Sequence, residues 1–342
     1  MSMVAREPIE GFMVELASGA IFEVKGLIHP PGRVVAYPRY LPDPKGDRVR
    51  QGSDVRYRKL ASWKERLALL AGPLRRYLVR DPVLGDVLCE PPLAEAKAIF
   101  SPVDGLEDLR RSGDAPGVGL LALEMAEEVR ARANLAWREI GISGSVLVGL
   151  ARESSDIDLV FYGKKACSEA YRALKAMREE GLTRPCGPRE LRAIYLARSA
   201  DTPYDMEAFF SREPSKVLQG TFKSVFYSVR LIPAVRQEPY GLVRFRNLGT
   251  AVVRASVSDA SESIFTPCRY GLEYVELLSG VREPEALVSF RLRFCEHASE
   301  GELIEARGKL EEALWPDGRR EIRLVVGGRP GDYFTPSRAP GP

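Results

Sequence analysis

Alternating polar and apolar positions, separated by turn residues, characterise the first part of the chain. They predict strands at residues 12–16, 20–25 and 34–40. Stretches with apolar residues three or four positions apart follow, and these predict helices at 63–79, 93–100, 106–111 and 120–140. Beyond them, Gly144 and Ser145 precede a predicted short helix at 146–151, and an apolar strand begins close to position 156.

The second half of the chain changes character near residue 240. Before that point the pattern predicts a helix from a Ser168 cap to Gly181, a strand at 191–197, a helical region at 205–219 and a hairpin at 221–235. From residue 241 onward, alternating runs predict mainly strands, at 242–245, 250–257, 287–294, 302–310 and 320–326.

These patterns predict an α+β protein of three domains. We expect an N-terminal α+β domain at residues 1–113, a central domain at 114–240 and a C-terminal mainly-β domain at 241–336, with a linker or helix start at 114–117. A length of 342 residues is ample for two or three packed cores.

Composition and charge narrow the class of protein without naming a function. Hydrophobic content of 45% and charged content of 28% are typical of a globular protein, and no apolar run is long enough to span a bilayer. The net charge of +3 is too small to indicate a polyanionic partner by itself. Five scattered cysteines form no CxxC pair, which favours a reducing cytoplasm. Depletion of Asn and Gln is typical of a thermophile.

Candidate chemistry is concentrated in the central stretch from residue 142 to 163. Asp156 and Asp158 are two positions apart at a predicted strand, so their side chains project to the same face and can share a hard cation such as Mg²⁺ or Mn²⁺. Gly144 allows a ligand to approach the backbone closely, and Ser145 opens a helix whose free N–H groups favour an anion. The alternative is an ordinary helix-to-strand connection with two surface aspartates.

Histidine-based catalysis is disfavoured. The chain has two histidines far apart in sequence, His29 and His297, and His29 directly precedes two prolines in a predicted turn.

The combination of Gly144-Ser145 with Asp156-Ile157-Asp158 resembles the signature of the polymerase-β-type nucleotidyltransferase superfamily. The resemblance implies a mixed sheet with helices, flanked here by the N-terminal α/β segment and the C-terminal mainly-β domain. It implies that Asp156 and Asp158 bind the metal and that Gly144 and Ser145 contact a nucleoside triphosphate. The layout also resembles an uncharacterised archaeal group of predicted nucleotidyltransferases, on the segments at 29–42, 156–159 and 258–267.

The resemblance also implies a third carboxylate, within an apolar-acid-apolar-apolar-Pro context. The segment at 229–233 has that context, with Arg230 where the acid is expected. A guanidinium is permanently charged, cannot act as a base and repels a cation. Asp205 or Glu207 could supply the acid from a neighbouring element, or they could only favour a helix start. Alternatively, Asp156 and Asp158 suffice for catalysis with one metal ion, and Arg230 binds the triphosphate. A third possibility is that the site binds a nucleotide or nucleic acid without turnover.

Basic and aromatic residues interleave from Arg39 to Arg66, a pattern that can hold phosphates while rings stack on bases, although acidic residues dilute it and a solvated loop is the alternative. The leading hypothesis is therefore an enzyme that moves a nucleoside monophosphate to a hydroxyl acceptor, preferably RNA. The second is a catalytically lapsed transferase domain that binds RNA or nucleotides. A minimal toxin- or antitoxin-like nucleotidyltransferase ranks last, because this chain is much longer.

Overall fold

The fold is given by a computed structural model that describes residues 7–60, 62–112, 117–199 and 201–336. These residues form three larger sheets and seven α-helices, together with shorter elements. The protein is therefore of the mixed α+β class, as predicted. The predicted linker at 114–117 lies, apart from Gly117, outside the described residues. None of the described helices combines the length and apolar character needed to cross a membrane.

The N-terminal part forms a six-stranded antiparallel sheet in the order β4-β5-β3-β2-β1-β8. A separate hairpin of β6 and β7 accompanies it, with helices α1 and α2. The bounds are β1 Met13–Leu16, β2 Ile21–Val24, β3 Ala36–Pro42, β4 Arg48–Val49, β5 Arg56–Lys59, α1 Trp63–Ala71, β6 Leu78–Asp81, β7 Asp86–Cys89, β8 Ala96–Phe100 and α2 Pro102–Ser112.

The central part is a five-stranded mixed sheet in the order β11-β12-β13-β10-β9, in which β10 and β13 run parallel. Helices α3 and α5 pack together against it. The bounds are α3 Val118–Ala133, β9 Ile140–Ile142, α4 Gly144–Leu147, β10 Ile157–Tyr162, α5 Lys164–Glu179, β11 Thr183–Arg184, α6 Pro188–Ser199, α7 Met206–Arg212, β12 Gln219–Phe222 and β13 Val225–Ile232.

The C-terminal part is a closed barrel. Its strands follow the order β14-β15-β16-β18-β17, the pairing of β14 with β17 closes the ring, and β19 pairs antiparallel with the first residues of β17. β16 and β18, the third and fifth strands of the barrel along the chain, pair in parallel. This pairing is similar to that of five-stranded OB-type barrels. The bounds are β14 Arg244–Asp259, β15 Cys268–Ser279, β16 Ala286–Ser289, β17 Leu303–Leu314, β18 Arg320–Val325 and β19 Tyr333–Pro336.

Strand β10 is buried on both of its faces. Leu159 and Phe161 belong to the core that α3, α5 and the barrel share. Val160 and Tyr162 belong to a second core, together with the N-terminal sheet. Because side chains alternate along a strand, Asp158 lies on the same face as Val160, towards the N-terminal sheet. The fold thus places the acidic pair where the N-terminal and central sheets meet.

Several local predictions are wrong. The predicted helix at 93–100 is a short 3-10 turn followed by edge strand β8, because pairing with β1 outweighs the propensity of this Ala- and Lys-containing run. The predicted strand at 191–197 lies inside α6, whose start signals, Pro188 and Glu190, identify a helix.

Three helix boundaries also differ from the prediction. The helix at 120–140 ends at Ala133, because Asn134 adopts a left-handed conformation and caps it, and Gly141 lies in β9. Ser168 lies inside α5 rather than at its cap. The predicted helix at 63–79 ends at Ala71 and is followed by a 3-10 turn and β6. The predicted hairpin at 221–235 is confirmed and consists of β12 and β13.

The imidazole of His29 should make folding sensitive to acid. It is 2% exposed, its Nδ1 accepts the Val35 N–H at 3.1 Å, and burial lowers its pKa to about 4. Below pH 6.5 the imidazole of His29 becomes protonated in the unfolded chain but stays neutral in the folded protein. The free energy of unfolding therefore falls by about 3 kcal/mol between pH 6.5 and about 4. Urea unfolding of His29→Gln across this range should show a smaller loss than the wild type. An unchanged pH slope would contradict this role of His29.

Candidate functional site

Asp156 and Asp158 lie together in the wall of one cleft, at the edge where the N-terminal sheet meets the central sheet. Asp158 is the second residue of β10, and Asp156 directly precedes that strand. Burial, followed by the charge of Asp158, raises the pKa of Asp156. The two carboxylates are therefore close enough to repel each other, which is the arrangement that a divalent cation relieves.

Gly144 packs directly against Asp158. Its φ is +64°, in the left-handed region, and a Cβ atom at this position would lie 2.0 Å from Asp158 Oδ2. The Ser143 N–H donates to the Asp158 carbonyl at 2.8 Å, which ties the bend to β10. Glycine is required here both for the backbone conformation and for space. The predicted proximity of the glycine bend and the acidic pair is what the structure shows.

Ser145 is placed differently from the expectation. The helix begins at Gly144 and ends at Leu147, so it is only four residues long and does not span 146–151. Ser145 is buried, its carbonyl accepts the Leu150 N–H at 2.8 Å, and neither it nor Gly144 is part of the cleft wall. A phosphate contact of Gly144 or Ser145 stays a prediction.

Ser228 is a site residue that the sequence analysis missed. It lies opposite Asp158 on the parallel neighbour β13, and its hydroxyl donates to Asp158 Oδ1 at 2.6 Å. The signal was present, since Ser228 is two positions before Arg230 and alternation puts both on one face. The hydroxyl fixes the orientation of the Asp158 carboxylate.

Arg230 lies in the cleft wall and is held by carboxylates of the N-terminal part. Its Nη2 donates to Glu23 Oε1 at 2.6 Å, and its Nη1 is 3.6 Å from Glu10 Oε1. Burial disfavours the guanidinium charge, but Glu23 and Glu10 outweigh burial and raise the pKa of Arg230. Lys25 contacts the same two carboxylates, at 2.9 Å and 3.0 Å. The charge of Arg230 is thus largely balanced, and its binding of a nucleotide stays a prediction.

Asp205 and Glu207 are not brought to the acidic pair. Asp205 caps α7, because its side chain accepts the Ala208 N–H at 2.8 Å, and Glu207 lies in the first turn of the same helix. Both are exposed, and neither is part of the cleft wall. Their position matches the helix-start alternative.

The cleft has a volume of about 1060 Å³, and all three parts of the chain contribute to its walls. The residues of the tract 39–66 that line the cleft are Arg39, Lys59, Trp63 and Arg66. Arg48 of the same tract is instead buried and donates to the Leu150 carbonyl at 2.8 Å. The predicted basic and aromatic tract therefore divides into a part that lines the cleft and a part that supports the fold.

The donor set suits one hard cation. Asp156 and Asp158 supply carboxylate oxygens, and Mg²⁺ is commonly held by one or two carboxylates with waters and phosphate oxygens completing its shell. The described residues contain no group of three or more His, Cys, Asp and Glu side chains placed to hold a metal. A bound ion would therefore depend on the acidic pair and on oxygens of a ligand.

Replacement of Gly144 should be costly through contact with Asp158. Gly144→Ala should cost more than about 2 kcal/mol of unfolding free energy, because it combines left-handed strain with a clash. Gly32→Ala is the matched control, since Gly32 has a φ of +70° and open space around its Cβ position, so only the strain of about 1 kcal/mol applies. In an Asp158→Ala background, most of the excess cost of Gly144→Ala over Gly32→Ala should disappear, because only the Cβ atom of residue 158 remains, 3.2 Å from the new methyl group. An equal cost in both backgrounds would show that the two residues are not in contact.

Neutralising Asp156 should stabilise the metal-free protein at neutral pH. Because its pKa is raised, the Asp156 carboxyl binds a proton more readily in the folded state than in the unfolded chain. The ionised carboxylate present at pH 7 therefore lowers the free energy of unfolding. Asp156→Asn should therefore raise the midpoint of thermal unfolding in EDTA, with a difference that shrinks as the pH falls through the raised pKa. Asp317→Asn, which changes an exposed turn carboxylate, should have no such effect.

Comparison with known proteins shows similarity to an uncharacterized protein. The chain is 26% identical over 328 residues to the uncharacterized protein MJ1086 of Methanocaldococcus jannaschii, covering 92% of this chain and 94% of that protein. No protein-family model matches the chain, and no solved structure matches it. The similarity indicates an archaeal homologue that shares nearly the whole length of this chain.

Proposed function

We propose that this protein is a nucleotidyltransferase that moves a nucleoside monophosphate from a nucleoside triphosphate to a hydroxyl acceptor, with RNA as the preferred acceptor. The acceptor oxygen forms a bond to the α-phosphorus, the bond from that phosphorus to the bridging oxygen breaks, pyrophosphate leaves and the hydroxyl proton passes to water. The observation that carries the proposal is that Gly144 packs against Asp158, which lies with Asp156 in the wall of a cleft that several cations also line.

The arrangement of the central sheet supports the proposal. A long helix, α3, precedes the short strand β9, the glycine bend joins β9 to β10, and β10 carries Asp158 next to the parallel strand β13. A mixed sheet with helices, in which Gly144 and Ser145 precede the acidic pair, is what the sequence resemblance implies. We infer a nucleotidyltransferase-type fold for this part of the chain, in a protein with a cytoplasmic location.

The acidic and the basic residues of the cleft would have different roles. Asp156 and Asp158 would hold Mg²⁺ or Mn²⁺, which when bound neutralises charge that develops on the phosphates. Arg39 and Lys59 lie near the acidic pair, since both lower the pKa of Asp156 against the larger effect of burial. They offer positive charge to the phosphates of a bound nucleotide. Ser228 keeps one oxygen of Asp158 in a fixed orientation.

The second candidate is a lapsed transferase domain that binds nucleotides or RNA without turnover. Arg230 favours it, because a guanidinium held by Glu23 and Glu10 stands where the resemblance implies a third acid. Glu23 is a further carboxylate in this cleft, but Lys25 and Arg230 outweigh its burial and keep its pKa well below the usual range. It is therefore already engaged and is a poor proton acceptor.

Transfer of label from each α-labelled nucleoside triphosphate to cellular RNA, with Mg²⁺ or Mn²⁺, separates the two functions. We expect transfer by the wild type and a loss of about a hundredfold or more in Asp156→Ala and in Asp158→Ala, because each removes a charged metal ligand. Asp317→Asn should retain activity. Nucleotide binding without transfer under either metal would support the lapsed domain, and transfer that survives both substitutions would refute the proposed site.

A further inference from the structure

Arginines from parts of the chain outside the central sheet also line the cleft, and Arg39 among them lies near the acidic pair as well. Arg39 comes from β3, Arg66 from α1 and Arg291 from the segment that follows β16 of the barrel. Trp63 and Arg66 are three positions apart on α1 and so lie on one side of that helix. Tyr37 shares a face of β3 with Arg39, and its ring is 5.4 Å from the ring of Trp63.

Asp201 joins these elements. Its Oδ1 accepts the backbone N–H of Trp63 at 3.2 Å, and its Oδ2 accepts from Arg291 Nη2 at 3.4 Å. The start of α1 and the barrel segment are therefore held against each other through one carboxylate. Strand β3 completes the group through the contact of Tyr37 with Trp63.

Part of the hydrogen-bonding capacity of this group is unused, although Arg66 Nη2 donates to the Leu60 carbonyl at 3.4 Å. Trp63 Nε1 and Arg66 Nε are buried and have no hydrogen-bond partner among the residues that the structure describes. Within the same residues, neither Arg39 nor Arg66 forms an ion pair with a carboxylate, whereas Arg230 and Arg291 do. Buried donors without partners cost free energy unless a ligand satisfies them.

The cations also repel one another. Burial, followed by the charge of Arg39, lowers the pKa of Arg66 to about 10; Arg291 adds a smaller effect in the same direction, and the charges of Glu23 and Asp201 oppose it. Burial also lowers the pKa of Arg291, although Asp201 opposes it. Such crowding of guanidinium groups is unfavourable in the ligand-free protein. An anion bound among them would remove the repulsion.

We propose that Arg39, Arg66, Arg291 and the indole N–H of Trp63 form a binding subsite for a phosphoryl group, next to the Asp156 and Asp158 pair and sharing Arg39 with it. A phosphoryl group fits because it offers several acceptor oxygens and up to two negative charges to planar guanidinium donors. The rings of Tyr37 and Trp63 lie beside these donors and offer a surface on which a base can stack. Only the identity of the molecule that carries the phosphoryl group, nucleotide or RNA acceptor, rests on the proposed function.

The test measures binding in EDTA, where the acidic pair contributes no metal. Isothermal titration of inorganic phosphate, of ATP and of an oligoribonucleotide is compared for the wild type, Arg66→Gln and Arg172→Gln. Arg172 is an exposed arginine of α5 outside the cleft wall, so its substitution removes the same charge elsewhere. We expect Arg66→Gln to weaken phosphate binding about tenfold or more, since a charge-assisted hydrogen bond is lost, and Arg172→Gln to leave it unchanged.

The two sources of the phosphoryl group give different results. If the RNA acceptor supplies it, Arg66→Gln weakens oligoribonucleotide binding and leaves ATP binding unchanged; if the nucleotide supplies it, the effects are reversed. Arg66→Gln should also raise the midpoint of thermal unfolding of the ligand-free protein, because it removes repulsion between arginines. A loss of binding caused by misfolding would instead be accompanied by a lower midpoint, so the two causes can be distinguished. Binding of all three probes that is independent of Arg66 would overturn the subsite, whatever the outcome of the transfer assay.

Discussion

The burial of β10 on both faces is the constraint on which the rest of the structure depends. One face, with Leu159 and Phe161, completes the core shared with the helices and the barrel. The other, with Val160 and Tyr162, requires a cover, and the N-terminal sheet supplies it. Asp158 lies on that second face at the open end of the strand, so the same packing that buries the apolar residues forms the cleft beside the carboxylates.

Ion pairs at this junction determine the electrostatics of the cleft. Arg230 from the central sheet is matched by Glu23 and Glu10 from the N-terminal part, and Lys25 joins them. Removing one member of a buried set leaves an uncompensated charge, so the set holds the two sheets in one arrangement. Its charges are largely balanced within the set, whereas Arg39, Arg66 and Lys59 line the same cleft and form no ion pair with a carboxylate among the residues that the structure describes.

Sequence patterns predicted the elements where local signals agreed with tertiary packing. The first three strands, the hairpin of β12 and β13 and the mainly-β C-terminal part follow from alternation and turn residues. Prediction failed where pairing partners decided the outcome, as for β8, which became a strand by adding to the edge of a sheet next to β1. For α6 the start signals were present in Pro188 and Glu190 and were outweighed by its apolar residues.

For the site, the sequence by itself determined the spacing of Asp156 and Asp158 and the glycine at position 144, because strand alternation and backbone freedom are local properties. Only the tertiary structure decided which groups surround them. Ser228 reaches Asp158 from a strand 70 residues away, and the partners of Arg230 come from 207 residues away or more. Such contacts depend on how sheets pack, and packing depends on the summed burial of many residues rather than on any one segment.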